Sequence, residues 1–235
     1  MEHTPSSAID PPANVLLVHD SQRRPADCES LCCDAGRTAI VRVSFAGEAC
    51  DDKPVRATDA AVGLLSVGDV IRASASSEAP DFTGPIAVDT VADPTDLSAI
   101  GVSISRFCEH WADEDLGVCF NSLDALLRQR DPETVFEFIY YLNRRLETVG
   151  ALAHFHLDAA RHDDRIVAAF GEVFDAVVVD ESATDSIPEA TDDDVAALLS
   201  DVGTEPDRPA YPWESGQFSE ATDEDIEQVL GGRVD

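Results

Sequence analysis

Residues 116–157 read LGVCFNSLDALLRQRDPETVFEFIYYLNRRLETVGALAHFHL, and this stretch decides the fold class. It opens on an apolar run at 116–120 and closes on a second run at 151–157, both of a length typical of buried strands. Between them, Asp131 and Pro132 occupy the N-cap and the first position of a long amphipathic helix. Two buried strands joined by a helix form a β-α-β unit, so we expect the two strands to be parallel.

The same alternation extends over the first 180 residues. Further strand-like runs lie at 14–19, 39–45, 85–91 and 174–179, with shorter apolar pieces at 62–65 and 69–71. Helical patterns lie at 94–111 (capped by Thr95), at 123–128 and at 163–171, and a short helix capped by Asp27 carries Cys28, Leu31 and Cys32. Apolar strands that alternate with amphipathic helices predict an α/β fold with a parallel, doubly wound sheet.

The charge of the chain excludes two classes of partner. Its 235 residues include 47 acidic and 16 basic ones, which gives a net charge of -31, and Lys53 is its single lysine. A nucleic-acid binder needs a basic stripe, and an anionic membrane surface attracts basic segments, so we expect neither partner. Self-repulsion of this charge is on the order of 20 kcal/mol at physiological ionic strength and about 10 kcal/mol at 1 M salt. We therefore expect the protein to work in concentrated salt.

Three regions differ in composition. Residues 1–12 are polar and contain proline, which is typical of a flexible N-terminal arm; they lack the apolar core of a signal peptide, and no run is long enough to span a membrane. Residues 13–182 form the α/β domain, and 183–235 form an acidic tail with 15 acids and 2 bases. These features predict a cytoplasmic protein with reduced cysteines. The Cys28/Cys32/Cys33 cluster matches no zinc-site spacing. A helical i, i+4 pair such as Cys28/Cys32 could supply two metal ligands, but we interpret the cluster as small buried side chains on a helix, so no metal or cofactor is predicted.

The tail contains a short repeat, EATDDDVAALL at 189–199 and EATDEDIEQVL at 220–230. Each copy begins like a capped helix, with Thr191 and Thr222 as the caps, and then presents one apolar stripe. The stripes consist of Val195, Leu198 and Leu199 in the first copy and Ile226, Val229 and Leu230 in the second. Such helices are too short to be stable alone. They either fold back on the domain or fray, or they dock into the groove of an unidentified protein partner.

Several segments resemble a known family. The Gly117–Leu127 run, GVCFNSLDALL, resembles the Walker B region of RecA/KaiC-like proteins, and DAVVV at 175–179 resembles their closing strand. A closer resemblance is to a haloarchaeal family of KaiC-like proteins, some of them labelled HTR-like, that is, transducer-like. It rests on VSF at 43–45, SVGDVIRAS at 66–74, DPTDLSAIGVSIS at 93–105, CFNSLDALL at 119–127 and AHFHLDAARHDDRIVAAF at 153–170. The resemblance covers about residues 13–181 and implies a RecA/KaiC-like fold, not a reaction.

Two departures from the family argue against ATP hydrolysis. A phosphate loop needs glycines and a lysine, yet residues 14–35 contain neither. At the Walker B position the metal-directed aspartate is replaced by Asn121, a poorer ligand for Mg²⁺. The opening NVLLVHDS also resembles a receiver domain, but the lysine that a receiver needs after its fifth strand is missing, since Lys53 follows the second strand.

Ligands of open parallel sheets lie beyond the carboxyl ends of the strands, and this rule defines a candidate crevice. The crevice residues are Asp20, Ser21, Arg23, Arg24, Asn121, Ser122, His156 and Asp158. Two further chemistries stay open there: a metal site or base made by His156, Asp158 and His162, and a Ser122 nucleophile with His156 as its base if the fold brings the two within hydrogen-bond reach. No nucleophile elbow or zinc motif supports either one, so we interpret these histidines as buried or surface residues. We expect a non-catalytic regulatory or signalling interaction module; the alternative is a nucleotide-sensing or nucleotide-hydrolysing protein with a non-Walker site at this edge.

Overall fold

The computed structural model describes residues 9–19, 28, 31, 36–48, 60–70 and 79–179. Within this part of the chain, seven strands form one sheet in which every neighbouring pair is parallel. The strands are β1 (Ala13–His19), β2 (Ala39–Phe45), β3 (Ala61–Val67), β4 (Ile86–Val91), β5 (Leu116–Phe120), β6 (Leu152–Asp158) and β7 (Ala176–Val179). Their order across the sheet is β4-β3-β2-β5-β6-β1-β7. The predicted α/β fold with a parallel sheet is confirmed.

Four helices have described bounds: α1 (Leu97–His110), α2 (Leu123–Leu127), α3 (Pro132–Thr148) and α4 (Asp164–Gly171). All four lie in the connections that follow β4, β5 and β6. These connections cross the sheet in one direction, from β4 towards β7. Because crossovers between parallel strands are right-handed, the four helices pack on one face of the sheet, which we call the helix-covered face.

Alternate residues of each strand point to opposite faces, and the apolar core divides accordingly. On β1, Leu16 and Val18 belong to the cluster beneath the helices, whereas Val15 and Leu17 belong to a smaller cluster on the other side. We call that other side the second face. Its cluster consists of Ala13, Val15, Leu17, Ile40, Ala60, Cys119, Leu152 and Val178, together with Cys28 and Leu31. Cys28 and Leu31 are helical, as predicted, while Asp27 and Cys32 lie outside the described residues.

The two predicted helix caps have different outcomes. Asp131 caps α3 as predicted, because its carboxylate accepts the Thr134 backbone N–H at 2.8 Å. The predicted Thr95 cap of α1 is wrong: the cap is Asp96, which accepts the Ala99 N–H at 2.9 Å. Thr95 instead donates its own N–H and hydroxyl to Asp93, so it is held in the turn that precedes the helix.

Strand β3 is longer than its apolar pattern indicates. Residues 61–67 form one continuous strand, where the sequence predicts only a short piece at 62–65. The strand is underestimated because Gly63 interrupts its apolar pattern, and glycine is unfavourable inside strands. Here the glycine has a packing role: a Cβ at Gly63 would lie 2.7 Å from a ring carbon of Phe107 and 2.9 Å from Trp111. The absence of a side chain lets α1 approach the sheet closely.

Some predictions concern residues outside the described ranges. They include most of the N-terminal arm and the whole acidic tail, with its stripes Val195, Leu198, Leu199, Ile226, Val229 and Leu230. The chain divides into one unit at Met1–Gly203 and another at Thr204–Asp235, and every described residue belongs to the first. None of the described helices is both long and apolar enough to cross a membrane.

Candidate functional site

The sheet brings part of the predicted crevice together. In the central strands, the register aligns Val43 with Phe120, Phe120 with Phe155, and His19 with Asp158, so the carboxyl ends of β2, β5, β6 and β1 share one edge. Asn121, Ser122 and Asp158 lie at this edge. Asp20, Ser21, Arg23 and Arg24 lie outside the described residues.

Asn121 and Ser122 continue β5 into α2. The backbone N–H of Asn121 donates to the Val43 carbonyl at 2.9 Å and so extends the pairing between β2 and β5. Ser122 is the N-cap of α2: its hydroxyl oxygen accepts the Ala125 N–H at 3.1 Å, and its hydroxyl donates to Asp124 at 3.3 Å. No hydrogen bond joins Ser122 to His156, so the structure does not form the alternative serine–histidine pair.

Asp124 is the main polar residue of this edge, and the sequence analysis missed it. Its buried carboxylate contacts the His162 ring nitrogen Nε2 at 2.7 Å and accepts the Asp158 backbone N–H at 3.2 and 3.3 Å. A signal was present, because Asp124 is the first-turn acid of a serine-capped helix directly after a buried strand. The partners, however, come from a segment more than 30 residues away, which only the fold places there.

A second set of contacts joins the neighbouring loops. Asp158 accepts Arg161 Nε at 3.0 Å and the Ala160 N–H at 3.1 Å. Glu48, which follows β2, forms ion pairs with Arg128 and, at 3.7 Å, with Arg161. The carboxyl ends of β2, β5 and β6 are thus tied together by contacts among their own side chains. We call Glu48, Ser122, Asp124, Asp158, Arg161 and His162, with Arg128, the edge network.

His156 does not belong to the edge network. It lies on β6, buried on the second face, where its Nε2 atom is 3.9 Å from the Cys119 sulfur of β5. Its neighbour on the same face is His154, with ring centroids 5.3 Å apart. The alternative group of His156, Asp158 and His162 is therefore not formed, because Asp158 and His162 are held in the edge network instead.

The second face instead contains a compact group of four side chains: Cys28, Cys119, His154 and His156. One ligand atom from each lies within 4.8 Å of the other three. The Cys28 sulfur is 3.2 Å from His154 Nε2 and 4.0 Å from the Cys119 sulfur. We call these four residues the thiol–imidazole cluster. Its members come from the segment after β1, from β5 and from β6, so no local spacing pattern marks it in the sequence.

The electrostatic environment of this cluster keeps one histidine neutral. Burial lowers the pKa of His156 to about 4, an effect that contact with Cys119 opposes and that the nearby His154 and His19 reinforce. His156 is therefore uncharged at neutral pH. The neutral imidazole is the form that binds metal ions. His19 lies at the edge of the group, with its ring centroid 5.6 Å from that of His156.

The cluster bears on two predictions. Cys28 is buried, as the interpretation of small buried cysteines expects, but it contacts a thiol and an imidazole and not only apolar side chains. The predicted association with Cys32 and Cys33 concerns residues outside the described ranges. The sequence indicated that His154 and His156 share one strand face, and it gave no reason to join them to Cys28 and Cys119.

Comparison with known protein families places this chain in one of them. No curated protein matches the chain. A family model matches residues 12–180, which span β1 to β7 and include both the edge network and the thiol–imidazole cluster. The chain belongs to the family of unknown function DUF7504.

Proposed function

We propose that this protein is a non-catalytic regulatory or signalling interaction module, built on a degenerate KaiC-like domain and working in the cytoplasm of a halophilic archaeon. The observation that carries the proposal is the edge network. Where an ATPase of this type would use polar side chains at the carboxyl ends of its strands, Ser122, Asp124 and Asp158 bind one another and neighbouring loops.

The placement of β5 supports the KaiC-like part of the proposal. Asn121, Ser122 and Asp124 directly follow β5, where the resemblance expects the Walker B residues. Strand β5 is separated from β1 by β6 alone, so the carboxyl ends of β1 and β5 lie close to one another. A crevice beyond such strand ends is the usual ligand site of an open parallel sheet.

The chemistry at this edge disfavours phosphoryl transfer. Catalysis of that reaction depends on a cation that neutralises phosphate oxygens and on an acid that holds Mg²⁺. Asn121 offers a neutral amide, and the nearest buried acid, Asp124, already contacts His162 and the Asp158 N–H. The only lysine of the chain, Lys53, follows β2 rather than β1.

Calorimetric titration of the full-length protein with Mg²⁺–ATP in concentrated KCl tests the absence of catalysis. We expect no binding tighter than about 1 mM, which corresponds to about -4 kcal/mol. The matched variant Asn121→Asp restores the acid, and we expect it to remain inactive because residues 14–35 still lack glycine and lysine. Micromolar binding by the unmodified protein would favour a nucleotide sensor, and hydrolysis would favour an enzyme.

The interaction role is proposed for the acidic tail. Its two apolar stripes repeat within a segment of strong negative charge, and an amphipathic helix that docks in a groove uses such a stripe. We expect the full-length protein to lose a binding partner when Val195, Leu198 and Leu199 are changed to serine. Changing Asp192, Asp193 and Asp194 to asparagine is the control, since it leaves the stripe intact. Equal partner recovery by all three proteins would remove the docking role.

The habitat is tested by thermal unfolding at two salt concentrations. Screening lengths of about 10 Å at 0.1 M salt and about 3 Å at 1 M salt imply much weaker self-repulsion in the concentrated solution. With a net charge of -31, we expect the melting temperature to rise steeply with KCl. A protein equally stable in dilute and in concentrated KCl would contradict the salt-adapted part of the proposal.

A further inference from the structure

We propose that Cys28, Cys119, His154 and His156 form a structural metal site that takes one divalent ion of the zinc class. The site is separate from the edge network, and it does not depend on the function proposed above. It would fasten the segment between β1 and β2 to the middle of the sheet.

The distances match a four-coordinate site. With zinc–sulfur bonds of about 2.3 Å and zinc–nitrogen bonds of about 2.0–2.1 Å, a tetrahedron has edges of about 3.8 Å between sulfurs and about 3.6 Å between sulfur and nitrogen. The separations are 4.0 Å between the two sulfurs, 3.2 Å between Cys28 Sγ and His154 Nε2, and 3.9 Å between Cys119 Sγ and His156 Nε2. All four ligand atoms lie within 4.8 Å of one another, so shifts on the order of 1 Å would bring the four side chains to one ion.

Two cysteines and two histidines are also the ligand set that zinc prefers over Mg²⁺ or Ca²⁺, which select oxygen ligands. All four side chains are at most 3% exposed. A catalytic zinc site keeps one position open for water or substrate, whereas a structural site is closed by protein ligands. Four buried protein ligands therefore indicate a structural role.

The surroundings favour the metal-binding forms of the ligands. Arg42 of β2 is paired in register with Cys119 and is buried on the same face, and a guanidinium near a thiol favours the thiolate form that binds metal. When one Zn²⁺ binds, it replaces the two thiol protons, which are released to solvent. The two neutral imidazoles bind the ion through nitrogen lone pairs. The product has no net charge at the four ligands, which suits a site enclosed by Val15, Leu17 and Leu31.

Contacts among the four side chains leave one polar atom of the cluster without a hydrogen bond. The Nδ1 atom of His154 is buried and has no hydrogen-bond partner among the described residues. Buried polar groups normally have such partners, and one left without costs about 1–3 kcal/mol. An ion held at His154 Nε2, the atom that faces Cys28, would not supply that partner; the four ligand atoms within 4.8 Å of one another are the observation that points to an ion.

Two other uses of these residues fit less well. A disulfide between Cys28 and Cys119 requires a sulfur separation of about 2.05 Å, and it would leave both imidazoles buried beside apolar groups. A catalytic cysteine paired with His154 would need access to a substrate, as reactive cysteines are partly exposed. Cys28 is fully buried.

Metal analysis of the full-length protein, stripped with a chelator and reloaded in concentrated KCl, tests the site. We expect one Zn²⁺ per chain and a melting temperature that rises on reloading. Co²⁺ should give the strong visible absorption of a tetrahedral ion with thiolate ligands. A chain that binds no Zn²⁺, or a weak octahedral Co²⁺ spectrum, would overturn the proposal.

Paired cysteine variants locate the ion. Cys119→Ser should reduce the bound metal from one ion per chain to none, and Cys28→Ser should do the same. The control is Cys108→Ser, because Cys108 is equally buried but lies beneath the helices on the opposite face. Full metal content in Cys119→Ser, or its loss in Cys108→Ser, would contradict the assignment.

X-ray absorption at the zinc edge of the unmodified protein needs no variant and remains decisive if the serine variants fail to fold. We expect a first shell of two sulfur and two nitrogen ligands. A shell of three or four sulfurs would place the ion among Cys28 and the other cysteines, Cys32, Cys33 and Cys50, and would overturn the site proposed here.

Discussion

The two faces of strand β6 differ sharply in chemistry. On the helix-covered face, Phe155 packs against Phe120 and Phe174, with ring centroids 5.2 and 5.1 Å away. On the second face, His154 and His156 meet the two thiols of the thiol–imidazole cluster. Neighbouring residues of one buried strand therefore enter two different environments, one of aromatic rings and one of metal-ligand atoms.

The same contrast holds for cysteines. Cys108 of α1 lies in the apolar core of the helix-covered face, where burial raises the pKa of its thiol to about 12. It stays protonated at neutral pH and is an inert packing residue. Cys119 is as well buried, but it lies beside Cys28, His156 and the Arg42 position. Burial alone thus does not decide whether a cysteine is structural filler or a ligand; its neighbours do.

The largest effect is expected at Phe155. Phe155→Ala should lower the free energy of unfolding by about 3–5 kcal/mol, because it leaves a cavity between two aromatic rings. The loss should be equal with and without Zn²⁺, since Phe155 lies on the face away from the cluster. Chemical denaturation in concentrated KCl measures it. Tyr140→Ala, at an exposed aromatic residue of α3, should cost less than about 0.5 kcal/mol. If the loss of stability in Phe155→Ala depended on Zn²⁺, the two faces of β6 would not be energetically separate.

The next largest effect is expected in the edge network. Asp124→Ala should cost about 2–3 kcal/mol, because it leaves the buried Asp158 N–H without its acceptor and the His162 ring without its carboxylate. The same denaturation measurement applies. Asp113→Ala, at an exposed acid in the loop after α1, is the control and should change little. Equal stability of the two variants would show that the edge network contributes nothing, and would leave its side chains available to a ligand.

The close contact between β3 and α1 gives a third test of the helix-covered face. Gly63→Ala should cost about 1–3 kcal/mol, because the new methyl group would overlap the Phe107 and Trp111 rings. Gly84→Ala is a matched control, since a Cβ there meets nothing closer than 4.0 Å, and it should be neutral or slightly stabilising. Similar melting temperatures for both variants would mean that α1 is not packed as closely as the structure places it.

The smallest effect is expected at the cap of α3. Partial burial alone would raise the pKa of Asp131, but hydrogen bonds from the Thr134 N–H and hydroxyl outweigh it and lower the pKa. Asp131→Ala should cost about 1 kcal/mol at neutral pH.

The pH dependence of that loss follows from the lowered pKa. The charged cap contributes in full above the unfolded pKa of about 3.9 and is lost as the pH falls through the folded value. The difference in unfolding free energy between the unmodified protein and Asp131→Ala should therefore become smaller in acid. Asp131→Asn is the control, because asparagine caps the helix but does not titrate. A difference in unfolding free energy between the unmodified protein and Asp131→Ala that stays constant from neutral pH to below the folded-state pKa of Asp131 would contradict this account.

Local patterns predicted most elements of the fold. The apolar runs of β1, β2, β5 and β6 and the helix after Asp131 agree with the structure to within a residue or two. The errors arose where a residue had a second role. Gly63 interrupts the apolar pattern of β3 because α1 packs against it, and Thr95 resembles a cap but is bound to Asp93.

The candidate sites were predicted less well. Asn121, Ser122 and Asp158 were placed at the correct edge by the rule for parallel sheets, because strand ends are visible in a sequence. His156 was placed there too, but its side chain points to the second face. Asp124 was missed because its importance comes from Asp158 and His162, which no local pattern connects to it.

The sequence by itself determined the parallel α/β fold, the capped helix α3 and the excess of acidic residues, since periodicity, capping and charge are local or summed properties. Only the tertiary structure decided which side chains meet. Cys28, Cys119 and His154 are separated by 91 and 35 positions along the chain, and they become neighbours because β5 pairs with β6 while Cys28 lies against Cys119 and His154. Strand order is a long-range property, and it fixes both the edge network and the thiol–imidazole cluster.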